Sequence, residues 1–133
     1  MSTRKDKFNQ RDRFFMNLAF NLARDRSGLT GENPPVGCVI VKNDKVISLG
    51  QTGINGRPHA EFNAIKSCKY NLKDAKMYVS LEPCTHYGKT PPCSNFIIKS
   101  IINLFLIRLT KSTYYFSKVV AFYKFSKLLN KNK

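Results

Sequence analysis

A chain of 133 residues has room for one domain, and with 42% apolar and 23% charged residues it has a globular composition, not a disordered or membrane one. The net charge of +15 points to nucleic acid, an anionic surface or a phosphorylated partner, yet residues 1–100 hold 16 Lys and Arg against 8 Asp and Glu while residues 101–133 hold 7 against none. The polar start, Met1–Arg13, lacks the apolar core of a secretory signal and no run of roughly 18 apolar residues follows, so no membrane association, a cytoplasmic location and reduced thiols at Cys38, Cys68, Cys84 and Cys93 are expected.

Residues 1–11 form a basic extension. From Phe14 to Arg26, Phe15, Ala19, Leu22 and Ala23 recur at helical spacing, which predicts an amphipathic helix ended by Gly28, Gly31 and Asn33-Pro34-Pro35. Val36–Val41 is a β-branched apolar run, the mark of a strand buried on both faces, and Lys42–Lys45 turns it into a hairpin with Val46–Leu49. After a loop holding Gly50, Gly53 and Gly56, Pro58 leads into a helix over His59–Lys69 with Phe62, Ile65 and Cys68 on its apolar face. Lys76–Leu81 reads as a third strand, and Pro91-Pro92 as the entry to a helix carrying Phe96, Ile97 and Ile98. Helix, hairpin, helix, strand and helix in that order imply an α/β fold, a three-layer α/β/α sandwich around a mixed sheet. Cys38 and Cys68 fall on buried faces and read as packing residues.

His59 with Cys84 and Cys93 supplies the three protein ligands of a catalytic zinc site, which keeps its fourth position for water. His59-Ala60-Glu61, then Pro83-Cys84, then Cys93 match the signature of the zinc deaminases, in which the Glu is a proton carrier and not a ligand. Residues two apart lie about 200° around a helix, so His59 and Glu61 can serve one site only from a helix first turn. Cys93 after Pro91-Pro92 has the same setting, where the positive end of the helix dipole favours the thiolate that zinc requires. Taken singly, a capping or core His, a solvated first-turn Glu and two buried thiols, or part of a structural four-cysteine site, account for these residues more simply. Their joint spacing favours the catalytic reading.

Asn33-Pro34-Pro35-Val36-Gly37, Gly56–Glu61 and Leu81–Cys93, with its His86-Tyr87-Gly88-Lys89-Thr90-Pro91-Pro92 insert, resemble the deaminase half of the bifunctional riboflavin-biosynthesis family RibD. The long insert between the cysteines sets that group apart from cytidine, deoxycytidylate and tRNA deaminases. The resemblance covers roughly residues 12–100 and implies a cytidine-deaminase-like fold, a Zn2+ held by His59, Cys84 and Cys93, and Glu61 as proton shuttle. It also implies hydrolytic deamination of a ribosylamino-diaminopyrimidinone phosphate with release of ammonia. Asn33 and Lys89 match substrate-contacting positions of the family, His86 lies in the same loop, and Thr52 is the weakest of the four, because some relatives carry a His there. The partner so implied is a small phosphorylated pyrimidine, not a nucleic acid, in deaminases that often form homo-oligomers.

Beyond Ser100 the family's loop and glycine landmarks and its reductase domain do not appear. Ile101–Leu109 suits a fourth strand. For residues 101–133, which contain no Gly, Pro, Asp or Glu, three readings stand: a basic amphipathic helix carrying Tyr114, Lys118, Phe122 and Phe125, a divergent final strand and helix, or translation from a shifted reading frame. The shifted frame is the reading favoured by the abrupt change of composition. The alternatives in function are a deaminase of another nucleoside, nucleotide or RNA base, an inactive fragment that keeps its zinc site, or a structural zinc module.

Overall fold

The computed structural model describes residues 10–81, 104–108 and 114–118. Helix α1 spans Gln10–Asp25, strands β1 and β2 span Gly37–Lys42 and Lys45–Gln51, and a short 3-10 turn at Ile54–Gly56 leads to helix α2, Ala60–Ser67. Strands β3 (Lys76–Val79), β4 (Leu104–Arg108) and β5 (Tyr114–Lys118) complete one five-stranded sheet in the order β2-β1-β3-β4-β5. It is mixed, as expected: β3 and β4 run parallel, and every other neighbouring pair is antiparallel.

The Val36–Val41 run is buried on both faces because each face has its own helix. Cys38 and Ile40 point with Met77 and Val79 toward Ala60 and Ala64 of α2. Val39 and Val41 point with Tyr78 toward Phe15, Met16 and Ala19 of α1. The alternation of side chains along a strand thus feeds two cores, which gives the three-layer sandwich. The hairpin closes through Asn43 and Asp44, both at positive φ (51° and 60°), the conformation that a two-residue hairpin turn requires. Ile47 is an extra residue in β2, since Ile40 pairs with Ser48 while Val41 pairs with Val46.

Two expectations are corrected. The helix expected from Phe14 starts earlier, at Gln10, and its buried stripe includes a charged residue, Asp12. Helix α2 seats Ala60, Glu61 and Ala64 against the sheet, while Phe62 and Ile65 are half-buried and Cys68 is its half-buried C-cap. The reason is close approach: a side chain at Gly50 of β2 would collide with the carbonyl of Ala60 and with Ala64, so α2 lies nearly on the strand backbone and small residues face it. Ser48 adds a 2.5 Å hydrogen bond from its hydroxyl to the Ala64 carbonyl.

The expected fourth strand is present as β4. Tyr114–Lys118, placed in a helix by one reading of the tail, is strand β5. The helix expected after Pro91-Pro92, and Phe122 and Phe125, lie outside the described residues. Among the described residues no helix is long and apolar enough to cross a membrane.

Candidate active site

The site is built on the entry to α2. The chain reaches it through a cis Arg57–Pro58 peptide, and His59 is the N-cap in an extended conformation (φ −69°, ψ 157°), its imidazole making no capping hydrogen bond. The first helical bond runs from the Asn63 amide to the His59 carbonyl at 3.0 Å. Glu61 follows in the first turn with 3% of its surface exposed. His59 and Glu61 therefore occupy a helix end, the one place where residues two apart can address a common point.

Beneath that turn lies Cys38 of β1, fully buried in the cluster formed with Ala60 and Ala64. Burial, reinforced by the charge of Glu61, pushes the Cys38 thiol well above its ordinary pKa. Cys38 is thus a neutral thiol that packs the floor under the carboxylate, not a nucleophile.

Two loops frame the helix entry. Thr30 donates from Oγ1 to the Asn33 carbonyl at 2.6 Å, and Asn33 donates from Nδ2 to the Gly56 carbonyl at 3.0 Å. Gly56 has φ +100°, and a side chain there would strike Asn33 and the Thr30 carbonyl. Asn33 is half-buried, with its amide N–H holding the loop before α2. Thr52 is 2% exposed; its Oγ1 accepts from the Val36 amide at 2.9 Å and lies 3.4 Å from the Val36 carbonyl. That hydroxyl ties the end of β2 to the start of β1.

Cys84, His86, Lys89 and Cys93 lie outside the described residues, and among the described residues no three His, Cys, Asp or Glu side chains gather as a metal site. The donor set as a whole, one imidazole on a helix N-cap and two thiols, has the chemistry of a zinc site. Sequence reasoning overlooked Asn63, whose side chain donates to the Gln51 carbonyl at 2.8 Å and the Pro58 carbonyl at 3.2 Å. The signal available in the sequence was an amide side chain one helical turn after a candidate ligand.

A sheet covered on both faces, with a His and a buried Glu at the end of α2, has the arrangement of the cytidine-deaminase-like fold. The chain belongs to the family of the cytidine and deoxycytidylate deaminase zinc-binding region, whose model matches residues 9–108. It is 48% identical over 89 residues to the riboflavin biosynthesis protein RibD of Aquifex aeolicus, covering 67% of this chain and 25% of that protein. To the diaminohydroxyphosphoribosylamino-pyrimidine deaminase of Buchnera aphidicola subsp. Schizaphis graminum it is 43% identical over 97 residues, which cover 73% of this chain and 66% of that one. Among solved structures, the Thermotoga maritima diaminohydroxyphosphoribosylaminopyrimidine deaminase/5-amino-6-(5-phosphoribosylamino)uracil reductase superposes with a TM-score of 0.68 at 44% identity, covering 71% of this chain and 28% of that one. The chain spans about a quarter of the length of the RibD relatives.

Proposed function

We propose that this chain is a zinc-dependent deaminase that hydrolyses the amino group of a ribosylamino-diaminopyrimidinone phosphate, the riboflavin-pathway intermediate, and releases ammonia. The observation that carries the reading is the pairing of His59 at the N-cap of α2 with the buried Glu61 two residues on. The 43% identity to the Buchnera deaminase supports the choice of substrate.

In this reading His59, Cys84 and Cys93 hold the zinc. When bound, the metal supplies a Lewis acid that makes water acidic enough to react near neutral pH. Glu61 carries two protons in turn: its carboxylate takes one from water as the C–O bond forms and gives it to the ring nitrogen, then takes the proton of the newly added hydroxyl and gives it to the amine as the C–N bond breaks and ammonia leaves. With Glu61 only 3% exposed, those protons are exchanged with the reactants and not with bulk solvent. Cys38 remains neutral beneath it and adds no competing charge. Asn33, already fixed to Gly56, presents the remainder of its amide to substrate, while Lys89 and His86 supply cationic and hydrogen-bonding partners for the phosphorylated ribose. Thr52 contributes by tying the start of β1 to the end of β2 through its bond with the Val36 amide. This reading includes a cytoplasmic location and assembly of the chain as a homo-oligomer.

The test is ammonia release by the purified, zinc-loaded chain from the diaminopyrimidinone intermediate, with cytidine and deoxycytidylate assayed beside it. Turnover of the first alone is expected. Stoichiometric zinc without ammonia from that substrate would overturn the reading.

A further inference from the structure

Asn63 has its backbone and its side chain turned on the same short stretch of chain. Its amide N–H donates to the His59 carbonyl at 3.0 Å, and its Nδ2 donates to the Pro58 carbonyl at 3.2 Å. Those two carbonyls belong to the peptide planes on either side of the His59 α-carbon. Fixing both planes fixes φ and ψ of His59, and with them the direction in which its side chain leaves the backbone.

The Pro58 carbonyl is held from a second side by the Gly53 amide at 2.8 Å, which completes its two acceptor positions. The other hydrogen of the Asn63 amide goes to the Gln51 carbonyl at 2.8 Å. Gln51 is itself immobilised. Its Nε2 donates to the Leu22 carbonyl at 3.0 Å and to Asp25 at 2.9 Å, and its Oε1 accepts from Arg26 at 3.2 Å. The Asn63 side-chain amide thereby joins the His59 peptide to the end of β2, and the Gln51 side-chain amide joins the end of β2 to the end of α1. A backbone N–H at position 63 would come from any residue except proline, whereas the bonds to Pro58 and Gln51 need a short side chain with two donors. Aspartate has the same shape and none.

We infer that Asn63 is a positioning residue for His59, holding the backbone of that ligand in the orientation that metal binding needs before any metal arrives. The inference rests on the proposed function in one respect, that His59 binds zinc. Groups that orient metal ligands are worth about 10–100-fold in metal affinity.

The experiment measures zinc affinity of the full chain by competition with a chromophoric chelator, below the unfolding temperature of each protein. Asn63→Asp and Asn63→Ala should each weaken zinc binding by about 10–100-fold. Tyr78→Phe, on the opposite face of the sheet, is the control for lost stability and should leave affinity unchanged. Should Asn63→Asp fail to fold, Asn63→Ala, which preserves the helix and introduces no charge, gives the result. Affinity within about threefold of the parent for folded Asn63 variants, or an equal loss in Tyr78→Phe, would overturn the inference. His59→Ala separates the two claims: if it binds zinc as the parent does, His59 is no ligand, and both the metal reading and the role of Asn63 fail.

Discussion

The Tyr78 hydroxyl on β3 donates a 2.7 Å hydrogen bond to Oδ1 of Asp12 in the first turn of α1, with the two side chains 1% and 3% exposed. A carboxylate on the buried stripe of a helix is tolerable because this phenol meets it. Tyr78→Phe leaves the ring packing against Phe15 in place and removes this hydrogen bond from the buried carboxylate. The expected loss is about 1–3 kcal/mol of stability, read as a lower urea midpoint. An unchanged midpoint would show that water replaces the phenol at no cost.

The same tyrosine and Cys38 set the alkaline limit of the fold. Burial pushes the Cys38 thiol up; burial first, then the Asp12 hydrogen bond and charge, push the Tyr78 hydroxyl up. Both groups remain protonated in the folded chain at pH values where the unfolded chain loses those protons, from about 8.5 for cysteine and about 10 for tyrosine. The folded state then binds more protons than the unfolded state, so stability falls as pH rises, by up to about 1.4 kcal/mol per pH unit for each group. Urea midpoints compared across this range should fall less steeply for Cys38→Ala from the cysteine value upward, and for Tyr78→Phe only above the tyrosine value. Parallel slopes in parent and Cys38→Ala would refute the assignment to Cys38.

Gly50→Ala should be among the most damaging single-methyl additions in the described region. The added carbon would meet the Ala60 carbonyl and the Ala64 backbone and side chain, none of which is the flexible end of a long side chain. Moving α2 off the sheet costs about 1–3 kcal/mol or more by overpacking, and it shifts His59 with it. Gly28 offers the comparison, because nothing lies within 4 Å of its added carbon and only its φ of +80° resists substitution. Melting temperatures should rank parent, then Gly28→Ala, then Gly50→Ala. The reverse order of the two variants would remove close approach as the reason for glycine at 50.

That close approach also explains what the sequence pattern could and could not convey. Val36–Val41 is legible as a doubly buried strand because every residue in it is small or apolar. The buried face of α2 is not, since hydrophobicity ranks Phe62 and Ile65 above Ala60 and Ala64, while the absence of a side chain at Gly50 makes the small residues the ones that fit. Asp12 is misleading for a related reason. The Tyr78 hydroxyl that it bonds stands 66 residues away, a relationship that the local sequence does not mark. In Tyr114–Lys118, mixed aromatic and basic residues suit either a helix face or a strand, and pairing with β4 decides for the strand. At the site, the two-residue spacing of His59 and Glu61 demanded a helix end, and a helix end is what they occupy. For Asn63 the sequence offers only an amide one helical turn after His59, because the backbone carbonyls on which it acts leave no trace in residue identity.

The separation of metal holding from proton carrying gives the sharpest chemical test of the candidate site. Glu61→Gln preserves the shape of a side chain that is 3% exposed and removes its capacity to accept a proton. Zinc content should remain that of the parent, while ammonia release should fall by about 100-fold or more, the usual worth of a positioned acid–base group. His59→Ala should behave in the opposite order, losing the metal first and activity as a consequence, and added zinc should restore little of either. A Glu61→Gln protein that loses its zinc would make Glu61 a ligand. One that keeps full turnover would move the proton transfer to another residue, and the buried carboxylate above Cys38 would then need a purely structural explanation.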